Sequence, residues 1–489
     1  MIIKMDVTRM FVGRKEELAF LEARYQSAKA EFLILYGRRR IGKTELLHQF
    51  AKDKQAVFYA CNECPDAEQL ARFSRRMLAT GMPASQYVST FPTWEAALRS
   101  VQELPGAGKK LLIIDEFPYM AQGNLALPSI LQNLWDDVLQ RENVMLILCG
   151  SSISFIEREL LGEKNPLYGR ATGIYRLQPL SFREARGFFP NSSLETQLTY
   201  YAILGGIPHY LQQFDDDATI EENVEAQILQ RGSILASEVE FLLHQELRET
   251  AVYNVIIEAI AQGCTTLNAI HERTQLDSTK INAYLRNLIE IGLVTREFSV
   301  LALPRERTAR GRGLYRLADD FFRFWYAFCY GNASDIAAGN GEGLYRYQIA
   351  PGLQEFVSQT FEQVALEALR CLNQRDALPF HFTKAGRWWD KVTHTDGGKK
   401  RTVAEEIDIV ATDAKAEDYL LCACKYRKEG TGLAVLRRLR GKFPLEKYPG
   451  RLHYALCSFW GFSEELEQQA AKEGVLLLGR ERLDQILRG

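Results

Sequence analysis

At 489 residues the chain exceeds what one hydrophobic core organises, and its length points to about three or four domains. Apolar content of 46% and charged content of 25% are ordinary for a globular protein, and a net charge of −2 excludes a chain that coats nucleic acid along its whole length. Nine cysteines are too few for a disulfide framework, Met1 to Asp6 meets charge too early for a signal peptide, and no apolar run approaches the roughly 18 residues of a membrane span, so a cytoplasmic protein is expected.

Phe11 to Leu18 places Gly13 at a break before a helix that carries Leu18 and Leu21. Phe32-Leu33-Ile34-Leu35-Tyr36 reads as a strand. The next eight residues, Gly37-Arg38-Arg39-Arg40-Ile41-Gly42-Lys43-Thr44, fit G-x-x-x-x-G-K-[ST] at every fixed position, and Glu45 to Phe50 continues as a helix. Strand, glycine loop and helix in this order make a phosphate site, because loop N–H groups and the positive end of the helix dipole converge on one anion. Gly37 and Gly42 allow the loop conformations, Lys43 would reach the β- and γ-phosphates, and the Thr44 hydroxyl would hold Mg²⁺. ATP and Mg²⁺ are the cofactors this pattern implies. Arg38, Arg39 and Arg40 occupy the variable tip, where contact with solvent or a lid is expected.

Ala56 to Ala60 reads as a second strand, followed by helical periodicity over 66–104 with a loop at Gly81-Met82-Pro83. Leu111-Leu112-Ile113-Ile114 then suits a strand buried on both faces, ending in Asp115-Glu116. Acids at that carboxyl end would lie beside the phosphate loop. Asp115 is expected to meet Mg²⁺ and Glu116 to polarise the attacking water. Val144 to Cys149 is a further strand, with Ser151 at its tip placed to orient water or touch the γ-phosphate. Ile174 to Leu177 is another. Arg170, on the loop before it, would neutralise charge on the transferred phosphoryl group, in cis or toward a neighbouring subunit of an oligomer.

Residues 181–247 are helical in period, interrupted by Gly205-Gly206-Ile207-Pro208. Over 248–330, helices through Val252 to Ile260, Thr266 to Arg273 and from a Ser278 cap precede two short strands, Ile291 to Arg296 and Gly313 to Leu317. This is the order of a winged helix, and its wing carries Arg305, Arg307, Arg310 and Arg312, suited to DNA phosphates. Residues 331–344, rich in glycine, read as a linker. In 345–489 a helix through Phe356, Phe361 and Val364 precedes strands that carry Asp408 and Lys425.

The loop Gly37 to Thr44, the pair Asp115-Glu116 and the turn Gly205 to Pro208 together resemble the archaeal-type P-loop ATPases of the AAA+/STAND assemblage. That resemblance implies an α/β fold: a mostly parallel sheet over 1–180, a helical lid over 181–247, a winged helix over 248–330, a linker over 331–344 and an α/β nuclease-like domain over 345–489. It implies an ATPase in which Lys43, Glu116 and Arg170 are catalytic, Gly13 lies at the adenine and Ser151 is the sensor. Trp388 to Lys425 resembles the PD-(D/E)xK nuclease core, in which Asp408 and Lys425 would flank a metal with partial help from Glu362, but Ala423 stands where a second acid is expected. The expected function is a Mg²⁺-dependent ATPase whose nucleotide state controls DNA engagement. The alternatives are a STAND-type switch acting on a protein partner and an ATP-regulated nuclease.

Overall fold

Apolar runs become the strands of the first sheet: β1 (Glu31–Tyr36), β2 (Ala56–Ala60), β3 (Lys110–Asp115), β4 (Val144–Gly150) and β5 (Gly173–Arg176), of which β1, β3 and β4 are central and buried on both faces. All pair in parallel, in the order β2-β3-β4-β1-β5. Every residue of β1 and of β4 is buried, which is why these strands read as continuous apolar runs rather than alternating ones. The edge strand β5 alternates, with Ile174 half exposed. The computed structural model describes residues 11–163, 165–308, 313–396 and 399–488. They form two units: 11–180 with Ile207–His209, and 181–206 with 210–488.

β4 lies between the strand that feeds the phosphate loop and the strand that ends in Asp115. Tyr36 is in register with Gly150, and Ala60 with Asp115, so the loop after β1, the acids after β3 and Ser151 after β4 all leave one edge of the sheet. Phe32, Ile34, Leu112, Leu146, Trp94 and Trp135 belong to one buried cluster on the sheet's face.

The second unit opens with helices, including Leu194–Leu204 and Ile220–Val224. Thr250–Ala261, Leu267–Thr274 and Ser278–Glu290 follow, then an antiparallel ribbon of β6 (Val294–Glu297) and β7 (Leu314–Leu317). The cap of the third helix is Asp277, one residue before the expected Ser278; its carboxylate accepts from the Thr279 and Lys280 N–H groups at 2.8 and 3.3 Å. Residues 331–344 are not a linker. They form the helices Ala333–Ala337 and Gly341–Leu344, anchored by buried Ile336 and Leu344. Arg323 ties helices of this unit together: Nη1 donates to Phe356 O at 3.1 Å, and Nη2 to Thr360 Oγ1 at 2.7 Å and Asp320 Oδ1 at 3.2 Å.

The unit ends in a second five-stranded sheet of β8 (Lys384–Asp396), β9 (Lys399–Thr412), β10 (Asp418–Lys425), β11 (Arg451–Ser458) and β12 (Leu476–Gly479), ordered β12-β11-β10-β9-β8. The first three strands are antiparallel neighbours and the last three parallel ones. The 25-residue helix Ala350–Gln374 precedes β8, and helix Leu433–Lys442 connects β10 to β11. Trp388, Ile407, Tyr419, Leu421 and Phe443 share this domain's core.

Candidate functional site

Gly42 adopts φ +90° and starts helix Lys43–Ala51, so the loop turns into the helix at a left-handed position that glycine enters without strain. Gly37 is required for a different reason than conformation. A Cβ there would lie 2.7 Å from the Leu177 carbonyl oxygen, which closes over the loop just after β5. Pro208 flanks the other glycine, its Cγ 3.6 Å from where a Gly42 Cβ would stand.

Within the loop Lys43 is buried, and its Nζ donates to Gly37 O at 2.9 Å and Arg38 O at 3.0 Å. Burial pushes its pKa down, against the opposing pull of Cys149, Glu116 and Asp115. Thr44 Oγ1 donates to Asp115 Oδ2 at 2.6 Å, and the other carboxylate oxygen accepts from Glu116 N at 3.0 Å. Hydroxyl and carboxylate thus converge as a pair of oxygen donors, the chemistry that Mg²⁺ takes. Glu116 sits at φ +51°, an uncommon conformation for a non-glycine residue, directly after the strand. Its Oε2 accepts from Ser151 N at 3.2 Å and Ser151 Oγ at 2.9 Å. Ser151 therefore touches the carboxylate expected to polarise water. Arg39 Nη2 donates to the Tyr119 hydroxyl at 3.4 Å, and Ile41 is fully buried.

The turn before the first helix is wired to this loop. Gly13 and Arg14 have φ +73° and +62°, and Arg14 is only 3% exposed. Its guanidinium donates to Ile41 O at 2.9 Å, Gln178 O at 2.7 Å and Glu17 Oε1 at 2.9 Å. Sequence reasoning selected Gly13 and missed Arg14, whose backbone partners Ile41 and Gln178 lie 27 and 164 residues away in the chain.

Arg170 is placed differently from expectation. Gly173 is in register with Leu33, so Arg170 lies off the amino end of β1, separated by about 16 Å of strand from the loop at the carboxyl end. Its guanidinium is engaged by Asp136, with Nε at 3.0 Å and Nη2 at 2.9 Å from Oδ2. A role at its own chain's phosphate loop is overturned by that register. The arginine on the loop side is Arg176, level with Tyr36. Its Nη1 and the Tyr36 hydroxyl each donate to Glu157 Oε1 at 3.1 Å, and burial together with Glu157 pushes the phenol up to about 12.

In the second unit Asp408 and Lys425 come together, Oδ2 to Nζ at 3.6 Å, and Asp408 also accepts from Cys424 N at 2.7 Å. Glu362 faces the same group, and burial followed by Asp408 pushes its carboxyl up to about 9. Among the described residues no trio of His, Cys, Asp or Glu is gathered as a metal site. Arg305 and Arg307 are exposed on the short helix Pro304–Thr308 rather than on an open hairpin, and Val300 N donates to Arg387 O at 2.9 Å, which ties the preceding segment to β8. Arg310 and Arg312 lie outside the described residues.

Residues 11–214 match the model of an ATPase domain predominantly from Archaea, and residues 325–435 match that of Archaea bacterial proteins of unknown function. An uncharacterized protein of Methanocaldococcus jannaschii is 32% identical over 419 residues, covering 86% of this chain and 88% of the relative. An uncharacterized ATP-binding protein of the same organism is 56% identical over 46 residues, 9% of this chain and 78% of its own. Among solved structures, the Walker-type ATPase of Pyrococcus abyssi aligns over 65% of this chain and 96% of its own at 20% identity and a TM-score of 0.49. No helix among the described residues is long and apolar enough to cross a membrane.

Proposed function

This chain belongs to the archaeal-type ATPase family, and on that premise we propose that its ATP state controls DNA engagement by residues 248–489. The observation that carries the ATPase chemistry is the convergence of Lys43, Thr44, Asp115, Glu116 and Ser151 at one edge of a parallel sheet. On nucleotide binding, Lys43 exchanges loop carbonyls for phosphate oxygens. Glu116 orients the attacking water, with its carboxylate fixed by Ser151. Mg²⁺, held by the Thr44 hydroxyl and Asp115, would supply charge neutralisation on the β- and γ-phosphates.

The three helices and ribbon of 250–317 support a winged-helix reading, and exposed Arg305 and Arg307 support DNA over a protein partner. The sheet with Asp408 and Lys425 on neighbouring strands supports a nuclease-like fold, while Ala423 supports contact without cleavage. The test is ATP turnover with and without DNA, for wild type and Glu116→Gln. Turnover that responds to DNA, with binding retained and turnover reduced at least about 100-fold in the variant, is the expected result. Supercoiled DNA in the same reaction stays intact. Wild-type turnover in Glu116→Gln removes that residue's role, and turnover indifferent to DNA removes the coupling.

A further inference from the structure

Away from the phosphate loop, the C-terminal sheet domain has a cavity of about 240 Å³ beside β9, β10 and helix Leu433–Lys442. Its charged lining consists of Lys425, Arg427, Arg438 and Lys442 against one carboxylate, Asp408. That carboxylate is already engaged by Cys424 N and Lys425. Ala423 also lines the cavity, presenting a methyl group two residues before Lys425 where a carboxylate would have offset the positive charge. The rest of the lining is aliphatic, including Val435 and Leu439.

Two of the four cations are held in place by backbone oxygens. Lys442 Nζ donates to Glu406 O at 2.7 Å, and Lys425 Nζ to Cys424 O at 2.8 Å. Cations fixed before a ligand arrives lose little side-chain freedom on binding it. Arg427 and Arg438 are exposed, and each can present a planar fork of donors to an oxyanion. Cationic groups beside an aliphatic wall suit an anion attached to an organic group better than a bare metal ion.

We infer that this cavity binds a phosphate group directly, without a metal ion, and that the ligand is a nucleotide phosphodiester or phosphomonoester. The inference leans on the DNA-engagement reading only for the source of the phosphate. Those sources are separated by titrating full-length protein in EDTA, without ATP, with dithymidine monophosphate (a single diester) and with thymidine monophosphate (a single monoester). Binding is expected to survive Lys43→Ala, which disables the phosphate loop, and to weaken about tenfold or more in Arg438→Glu. Ala423→Glu, which restores an acid inside the cavity, should weaken it at least as much. Arg438→Gln, which removes the charge without reversing it, keeps the test open if either of these variants melts early.

Diester binding assigns nucleic acid as the source, and binding of the monoester alone assigns a free nucleotide or strand end. The inference is overturned if neither probe binds, if binding is lost with Lys43→Ala, if it is indifferent to Arg438, or if it appears only when Mg²⁺ is added. Since the titration uses neither ATP nor turnover, its failure leaves the ATPase reading standing, and a failed turnover assay leaves the cavity standing.

Discussion

Ser151 decides how much freedom Glu116 has. The serine offers the glutamate two donors, backbone N–H and side-chain hydroxyl, on one carboxylate oxygen. Ser151→Ala removes the hydroxyl and keeps the amide, so Glu116 is loosened rather than released. A positioning role predicts that kcat falls about tenfold while the KM for ATP stays within about twofold, since substrate binding does not use this bond. If Ser151 instead touches the γ-phosphate, KM rises with the loss of kcat, and steady-state kinetics separates the two. The motif glycines carry a related lesson. Gly42 is needed for its φ of +90°, as its place before the helix suggests, but Gly37 is needed because the Leu177 carbonyl leaves no room for a Cβ. That neighbour sits just after β5, about 140 residues later, and no local pattern announces it.

Among the elements, the central strands were legible because two-sided burial in a parallel sheet leaves an unbroken apolar run, as in Leu111 to Ile114. The candidate site's placement was legible to the same extent: Lys43, Thr44, Glu116 and Ser151 follow central strands, Asp115 ends one, and they meet at one edge of the sheet. Register was not legible, and Arg170 was misplaced for that reason, since only pairing reveals that residues before β5 fall at the amino end of β1. Glycine content also misled at 331–344, where Ile336 and Leu344 supply enough burial to hold short helices together.

Packing creates a titrating position that the sequence hides. Asp320, at the start of helix Asp320–Phe324, packs beside Gly205 and pairs with Arg323 with its side chain 15% exposed, and desolvation pushes its carboxyl up to about 6 despite that arginine. A carboxyl with a higher pKa in the folded state contributes stability that is full below its unfolded value and is lost as pH rises through about 6. Asp320→Asn cannot titrate. Its stability relative to wild type should therefore improve between pH 4 and pH 7, by up to about 3 kcal/mol for the two-unit shift. Urea melts of both proteins across that range test it. A constant difference between them would show that folding leaves the Asp320 pKa at its unfolded value.

At the scale of the molecule, a net charge of −2 means that nucleic-acid affinity has to come from local cations rather than from the overall field. Arg305 and Arg307 are exposed on a helix of five residues, and the segment leading into it is held by the Val300 to Arg387 bond, so these charges stand on a supported surface. Phosphate contacts release counterions, and each one adds about 0.9 to the slope of log affinity against log salt. Replacing both arginines with alanine should reduce that slope by up to about 2, with loss of affinity concentrated at low salt. The measurement belongs in the Glu116→Gln background, where bound ATP persists and affinity can be read with and without nucleotide. Coupling requires that ATP change the DNA affinity, and by reciprocity that DNA change the ATP affinity by the same factor. A salt slope indifferent to the double replacement would remove these arginines from the contact. A nucleotide effect absent in both directions would reduce the protein to an ATPase and a DNA surface that share a chain without speaking to each other.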